Sequence, residues 1–342
     1  MKKRILIIGN KEKFTLEYFY YKSFKYLGVD VDFFSIDRTI KNRLIAKIIN
    51  IFPNLYYFFL RKKLINYIKN NKKKYLAIII FKGLYLNLYT IKNIKALARK
   101  TIWLNIFPDD PFNVRDVQIS NINFFKTISE FDIFCIWSKK IKKKLDISFK
   151  KKIFLYLPFA YDNLVNFKLN KKKIGKDKQL LFVGTHDNVR EKIINSIKID
   201  KKIYGGNWKY RSFISKSDIF GHLHGKQLSH KINNAMISLN ILRKQNLSSH
   251  NMKTFEIPGN NGLMLTTRSK EQNNFFKENF SCFMYSNIHE LNKKIEFILN
   301  NTTLSLKVRK RGNMIAKKHS YLERTKYLLK KINDASKSKK NL

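Results

Sequence analysis

Acidic residues are scarce: 24 Asp and Glu stand against 70 Lys and Arg, a formal net charge of +46. The excess has three readings. Lys, Asn, Ile and Phe are abundant together, as a strongly AT-biased coding sequence produces, so the lysines would be solvated surface. Alternatively they draw the chain to an anionic membrane leaflet, or to nucleic acid. Against nucleic acid, the lysines are spread through nearly all segments and no binding motif emerges. Cysteine is almost absent. Cys135 and Cys282, flanked by apolar or aromatic residues, read as core fillers in a reducing compartment, with the cytoplasm the default. Long apolar runs are missing too. The most apolar window, Ile48 to Leu60, is broken by Asn50, Pro53 and Asn54 and falls short of the roughly 20 residues a membrane crossing needs. The run Ile5 to Ile8 stops at Gly9-Asn10, a strand and turn rather than a signal peptide. No Gly-x-Gly-x-x-Gly follows this first strand, which argues against a dehydrogenase or epimerase. Nor is there a compact Asp-x-Asp signature for a divalent ion.

What is present is patterning for two cores. The chain's 342 residues exceed one ordinary core. Strands are predicted at residues 4–9, Val29 to Ser35, Leu76 to Phe81, Thr101 to Phe107, Phe131 to Trp137 and Ile153 to Leu157, separated by helical segments such as Thr15 to Leu27. This alternation predicts an α/β fold with a parallel sheet. Residues 168–178 are lysine-rich without apolar periodicity and read as a linker. The pattern then restarts, with strands at Leu180 to Val183, Lys202 to Tyr204, Ile237 to Leu242, Leu263 to Thr266 and Cys282 to Tyr285, and helices near Arg190 to Ile197 and Leu291 to Leu299. Two Rossmann-type sheets in tandem are implied: a first domain over 1–167 and a second over 179–320. A last helix follows near 321–334, and the polar, basic 335–342 reads as a frayed tail.

The most informative stretch is Asn251-Met252-Lys253-Thr254-Phe255-Glu256-Ile257-Pro258-Gly259-Asn260-Asn261-Gly262-Leu263-Met264-Leu265-Thr266. A carboxylate followed by a glycine-bearing turn and a buried strand suits a nucleotide at a sheet's carboxyl edge. Glu256 would accept hydrogen bonds from ribose hydroxyls, and amides around Gly259 to Gly262 would approach phosphate. The stretch resembles the Phe-Glu-Ile-Pro-Ala-Cys-Gly-Gly segment of spore-maturation CgeB-like glycosyltransferases. The likeness extends back through Ala235 to Arg243 and forward through His319-Ser320-Tyr321 and Arg324. Departures are Lys253 where the family usually has arginine, Gly259-Asn260-Asn261-Gly262 for Ala-Cys-Gly-Gly, and Ser248 where the wider group often has a second glutamate.

The resemblance implies a GT-B fold: two Rossmann-like domains with an interdomain cleft, donor bound by the second, acceptor by the first, and a terminal helix returning to the first. It further implies transfer of a sugar from a nucleoside diphosphate to a glycan, lipid-linked or protein acceptor, with no cofactor beyond that co-substrate. By likeness to the family's neighbours, anomeric configuration would be retained. The rival reading is a non-catalytic basic protein that binds nucleic acid or anionic surfaces on the same kind of fold.

Glycosyl transfer requires stabilisation of the departing diphosphate. Without a bound metal, cations and helix ends do this; candidates are the amides of Gly184 and Thr185, Arg190 at the following helix start, and Lys253. Arg190 reads equally as a solvated helix residue. Asn240 and Asn251 are donor-side candidates, or turn caps. Trp103 to Pro111 ends a strand in two carboxylates; Asp110, with Asp109 beside it, is the candidate general base, or a turn cap. His186, beside Asp187, is a candidate acid or base. Gly9 and Asn10 would line the acceptor side, or merely form a tight turn. His222 and His224 lack a third metal ligand nearby in sequence, so no metal site is expected. The aromatic-basic run Leu55 to Lys63 reads as a core helix or as a seat on lipid head groups at the inner face of the cell membrane.

Overall fold

Strands buried on both faces are continuous apolar runs, and such strands occur in parallel sheets covered by helices. In the computed structural model Ile5 to Ile8, Ala77 to Phe81 and Ile102 to Leu104 are buried in this way. The structure describes residues 4–36, 53–71, 74–112, 122–150, 152–165, 175, 177–208, 214–215 and 218–340. The chain divides into two compact units, Met1–Pro158 with Arg324–Leu342, and Phe159–Glu323. The first thus ends at Pro158, before the boundary read from the sequence, and most of the linker expected over 168–178 lies outside the described residues.

The first unit contains strands β1 (Arg4–Gly9), β2 (Asp30–Ser35), β3 (Ala77–Phe81), β4 (Ile102–Phe107), β5 (Ile133–Ile136) and β6 (Phe154–Tyr156). They pair in the order β2-β1-β3-β4-β5-β6, all parallel. Helices α1 (Leu16–Tyr26), α2 (Pro53–Asn71), α3 (Leu88–Leu97), α4 (Ile122–Thr127) and α5 (Lys139–Ser148) connect them. Caps set several starts: Thr15, Asn87 and Ser138 each accept a hydrogen bond from the amide three residues on.

The second unit repeats the plan with β7 (Asp177–Val183), α6 (Asn188–Asn195), β8 (Lys201–Tyr204), β9 (Ile219–Phe220), α7 (Gly225–Asn234), β10 (Ala235–Asn240), α8 (Lys253–Gly259), β11 (Met264–Thr267), α9 (Lys270–Phe275), β12 (Phe283–Tyr285), α10 (Ile288–Asn300) and α11 (Thr302–Ala316). Its sheet runs β12-β11-β10-β7-β8-β9, again parallel. In each sheet the order of the strands reverses once, between β1 and β3 in the first and between β7 and β10 in the second. In open α/β sheets the crevice at the carboxyl ends beside such a reversal is where ligands bind.

The last helix, α12 (Tyr321–Lys340), corrects the expected frayed tail. Ile332 and Ser336 are buried one turn apart, and the Lys339 ammonium reaches the Asp132 carboxylate and the Thr101 carbonyl, both at 2.9 Å. A polar tail thus continues as a helix because one of its faces is anchored to the first unit.

Candidate functional site in the second unit

The conspicuous motif forms a helix followed by a turn. Residues 253 to 259 are α8, so Lys253 and Glu256 stand in its first turn, at the carboxyl edge of the sheet. Neighbouring side chains fix that end. Asn240, closing β10, and Asn251 exchange amide hydrogen bonds at 2.9 and 3.1 Å, and Asn251 Oδ1 accepts the Thr254 amide at 3.1 Å. The Thr254 hydroxyl donates to Gln272 Oε1 at 2.7 Å. Asn240 and Asn251 are therefore positioning groups: they hold the α8 start while Lys253 and Glu256, paired with each other, remain 23% and 13% exposed.

Gly259 and Gly262 lie elsewhere. A helix that follows a parallel strand runs back towards the sheet's amino edge, so its C-terminal turn cannot share the edge that holds Glu256. The amides of Asn260, Asn261 and Gly262 donate to the carbonyls of Glu256, Pro258 and Ile257 at 3.0, 3.0 and 2.8 Å. A Cβ on Gly259 would sit 2.5 Å from the Tyr161 ring, and one on Gly262 would sit 2.5 Å from Ile232. These glycines permit close packing, and the phosphate role read from the sequence does not fit their place.

The reversal between β7 and β10 is bridged by Arg190. Its guanidinium donates to the Thr185 and Ile241 carbonyls at 2.9 and 3.0 Å, with the residue only 9% exposed and burial lowering its pKa to about 10. The first amides of α6 meet a carboxylate of the chain itself, since Asp187 Oδ1 accepts the Arg190 amide at 2.9 Å. Arg190 thus ties two strand ends together, where the sequence suggested a phosphate contact. His186 is enclosed as well: its Nε2 lies 2.8 Å from Glu191 Oε2, and its ring meets Trp208 edge-on. That partnership makes it a packing residue beside the α6 start, not an open acid or base.

Sequence reasoning missed three features of this edge. Gly205 has φ +143°, and a Cβ there would lie 2.1 Å from the Gly184 carbonyl oxygen. Gly205 therefore lets the β8 loop press against the β7 loop, where the Gly184 amide donates to Tyr204 O and the Trp208 indole to Gly184 O, at 2.8 and 2.7 Å. Gly206 faces the His222 ring, which stacks at 6.0 Å on His224. Burial, then His222 and Lys253, hold the His224 imidazole below its ordinary pKa, with Glu256 opposing. Finally, Arg243 beyond β10 is half-exposed, 3.5 Å from Asp187, so Arg243 and Lys253 are cations that reach solvent here. The doublet Gly205-Gly206 was the available signal. Gly205→Ala is expected to cost about 3 kcal/mol or more through strain and a main-chain clash. Tm should fall by several degrees and the near-ultraviolet signal of Trp208 should change; an unchanged Tm would refute the close approach.

In the first unit the carboxyl edge at the β1–β3 reversal holds Gly9, Asn10 and a further group, Lys82. Lys82 has φ 57° and its ammonium lies 2.8 Å from Asp109. Asp110 Oδ1 accepts the Phe112 amide at 3.0 Å, the turn-cap reading. Of the two carboxylates Asp109 is thus the one set against a cation, reversing the preference read from the sequence. Asn10 is engaged with Glu12, and Gly9 leaves room for Glu17, whose Cγ would lie 2.6 Å from a Cβ there.

Comparison with known proteins fits this geometry. A family model described as glycosyl transferase-like matches residues 187–330, which hold α6, Arg243, Lys253 and Glu256. No curated protein matches the chain. Among solved structures, Anabaena HepE bound to UDP-glucose superposes with a TM-score of 0.65 at 8% identity, over 97% of this chain and 99% of that one. A glycosyltransferase from Rickettsia africae gives 0.62 at 14% identity over 98% of each. TarM gives 0.55 at 12% identity, over 80% of this chain and 57% of TarM; the chain likewise spans 57% of its match in the GtfA/B complex. The fold is GT-B. The second unit's carboxyl edge, with Glu256, Lys253, Arg243 and His224, is the candidate functional site. Among the described residues no three His, Cys, Asp or Glu gather as a metal site would require, and no helix is long and apolar enough to cross a membrane.

Proposed function

We propose that the protein is a glycosyltransferase that moves a sugar from a nucleoside diphosphate to a glycan, lipid-linked or protein acceptor, of the CgeB-like kind. The observation that carries this is Glu256: a partly exposed carboxylate, held at the carboxyl edge by the Asn240–Asn251 pair and accompanied by Lys253. A carboxylate accepts two ribose hydroxyls, while an adjacent ammonium answers the charge of a diphosphate. The family match over this unit, and the UDP-glucose bound by HepE, support the same reading.

In the reaction the bond between the anomeric carbon and the diphosphate oxygen breaks as an acceptor oxygen bonds to that carbon and loses its proton. Negative charge accumulates on the leaving diphosphate. Lys253 and Arg243 are solvent-reaching cations of this edge suited to it, and the reading requires no metal ion. On the acceptor side Asp109, fixed by Lys82, is our candidate for the hydroxyl contact. Retention of configuration is the preferred stereochemistry by family likeness. The place of action proposed is the cytoplasmic side, at the inner face of the cell membrane.

A thermal-shift screen of nucleoside diphosphates and their sugars, with and without EDTA, tests this reading. At least one should raise Tm in a concentration-dependent way by binding the native state alone, with EDTA making no difference. Stabilisation by none of them, together with salt-sensitive binding to nucleic acid, would favour the non-catalytic alternative.

A further inference from the structure

A surface helix of a folded domain normally buries one face and presents a polar one. Helix α2 departs from this. Leu60, Leu64 and Ile68, at four-residue spacing, are buried in the first unit. On the other side Leu55, Phe58 and Phe59 are 53%, 45% and 60% exposed, with the two phenylalanine rings 5.7 Å apart. The Lys62 ammonium lies 4.5 Å above the Phe58 ring, and Lys63 and Lys69 are exposed further along. Helix α2 has no Asp or Glu, and between Asp37 and Asp109 the sequence carries sixteen Lys and Arg with no acidic residue. Uniform drift towards lysine would thin acidic residues everywhere. It would not by itself put the acid-free stretch around the helix that exposes adjacent aromatics.

We propose that the exposed face of α2 is a docking surface for an anionic lipid bilayer, with Leu55, Phe58 and Phe59 entering the headgroup boundary and Lys62 and Lys63 meeting lipid phosphates. Aromatic and leucine side chains beside lysines are the composition of helices that lie in the interfacial plane. Each basic residue near such a surface contributes about 1 kcal/mol. The surface belongs to the first unit alone, so it stands or falls independently of the donor-site reading, and it goes beyond the location proposed above by naming the residues and the ligand class.

The test is co-sedimentation of the full-length protein with vesicles of phosphatidylcholine alone or mixed with phosphatidylglycerol. The protein should pellet with the mixed vesicles. Phe58→Ser with Phe59→Ser should lower binding at least tenfold. Lys62→Gln with Lys63→Gln should lower it about thirtyfold, two such charges taken together. The charge-matched control Lys317→Gln with Lys318→Gln, on exposed positions of the second unit, should change it less than threefold. Tm of each variant, and nucleotide-induced stabilisation, report folding separately from docking. Three results would overturn the proposal: no binding to mixed vesicles; equal loss in the α2 and control lysine variants, which would make the attraction one of net charge; or full binding after both phenylalanines are replaced. Wild-type protein that ignores vesicles but forms a α2-dependent complex with another protein would overturn it in favour of a protein partner.

Discussion

Glu256→Ala is expected to weaken binding of the nucleoside diphosphate by about a hundredfold and to remove detectable sugar transfer. A carboxylate accepting two hydroxyls makes charge-assisted bonds, each contributing about 1.5–3 kcal/mol, so even the lower figure for both gives about two decades. The fold should survive. Glu256 is 13% exposed, and its side chain pairs with Lys253 at the surface of α8, while the α8 start is held by Asn240, Asn251 and Gln272. Titration calorimetry with whichever nucleotide stabilises the wild type, alongside Tm of the unliganded variant, measures both effects. Unchanged affinity in a folded variant would remove Glu256 from the donor site. Glu256→Gln should fall between the two, because an amide keeps one acceptor oxygen but carries no charge.

Arg309→Met should produce the largest loss of stability, about 3–5 kcal/mol and a Tm lower by about 10 °C. Arg309, on α11, is only 2% exposed. Its Nε donates to the Asn261 carbonyl at 2.6 Å, and its terminal nitrogens donate to the carbonyls of Ala235 and Ile232 at 3.1 and 3.4 Å and to that of Asn233. Those acceptors are the last carbonyls of α7, the start of β10 and the turn after α8. One fork therefore fastens both helices that flank β10. Methionine keeps much of the volume and takes the arginine donor from the carbonyls of Ile232, Ala235 and Asn261, while Asn233 O keeps the Gly175 amide; unmet carbonyls are the costly arrangement. Arg309→Lys should recover only part of the loss, since an ammonium cannot span the same four oxygens. Calorimetric unfolding checks the order wild type, lysine, methionine; a Tm drop below about 2 °C for methionine would refute the clamp.

Arg309 and Arg190 show where sequence reading stopped. Each is an arginine in a helix, of a type that is mostly solvated. Nothing along the chain says that one closes the ends of α7 and α8 while the other ties β7 to β10. Helical spacing marks which residues share a face, but whether that face meets water or carbonyls depends on what another segment brings to it. The glycines of the motif carry the same lesson. Gly259-Asn260-Asn261-Gly262 has the composition of a phosphate loop, yet it ends a helix too short for periodicity to reveal, and that placed it at the wrong edge. Asp109 and Asp110 are adjacent, and only the Lys82 ammonium, arriving from β3, separates their tasks.

The family resemblance singled out the carboxylate on which the proposed function rests, whereas composition and periodicity alone determined the alternation of strands and helices, the two tandem sheets and the core strands. These follow from burial, which is written locally as apolar runs and their spacing. The strand orders, the reversals that locate the edges, the enclosure of Arg190 and His186, the anchoring of α12 and the exposure of Phe58 and Phe59 were decided only by the folded chain. Each depends on contacts between residues far apart in sequence, and a local pattern holds no record of its distant neighbours.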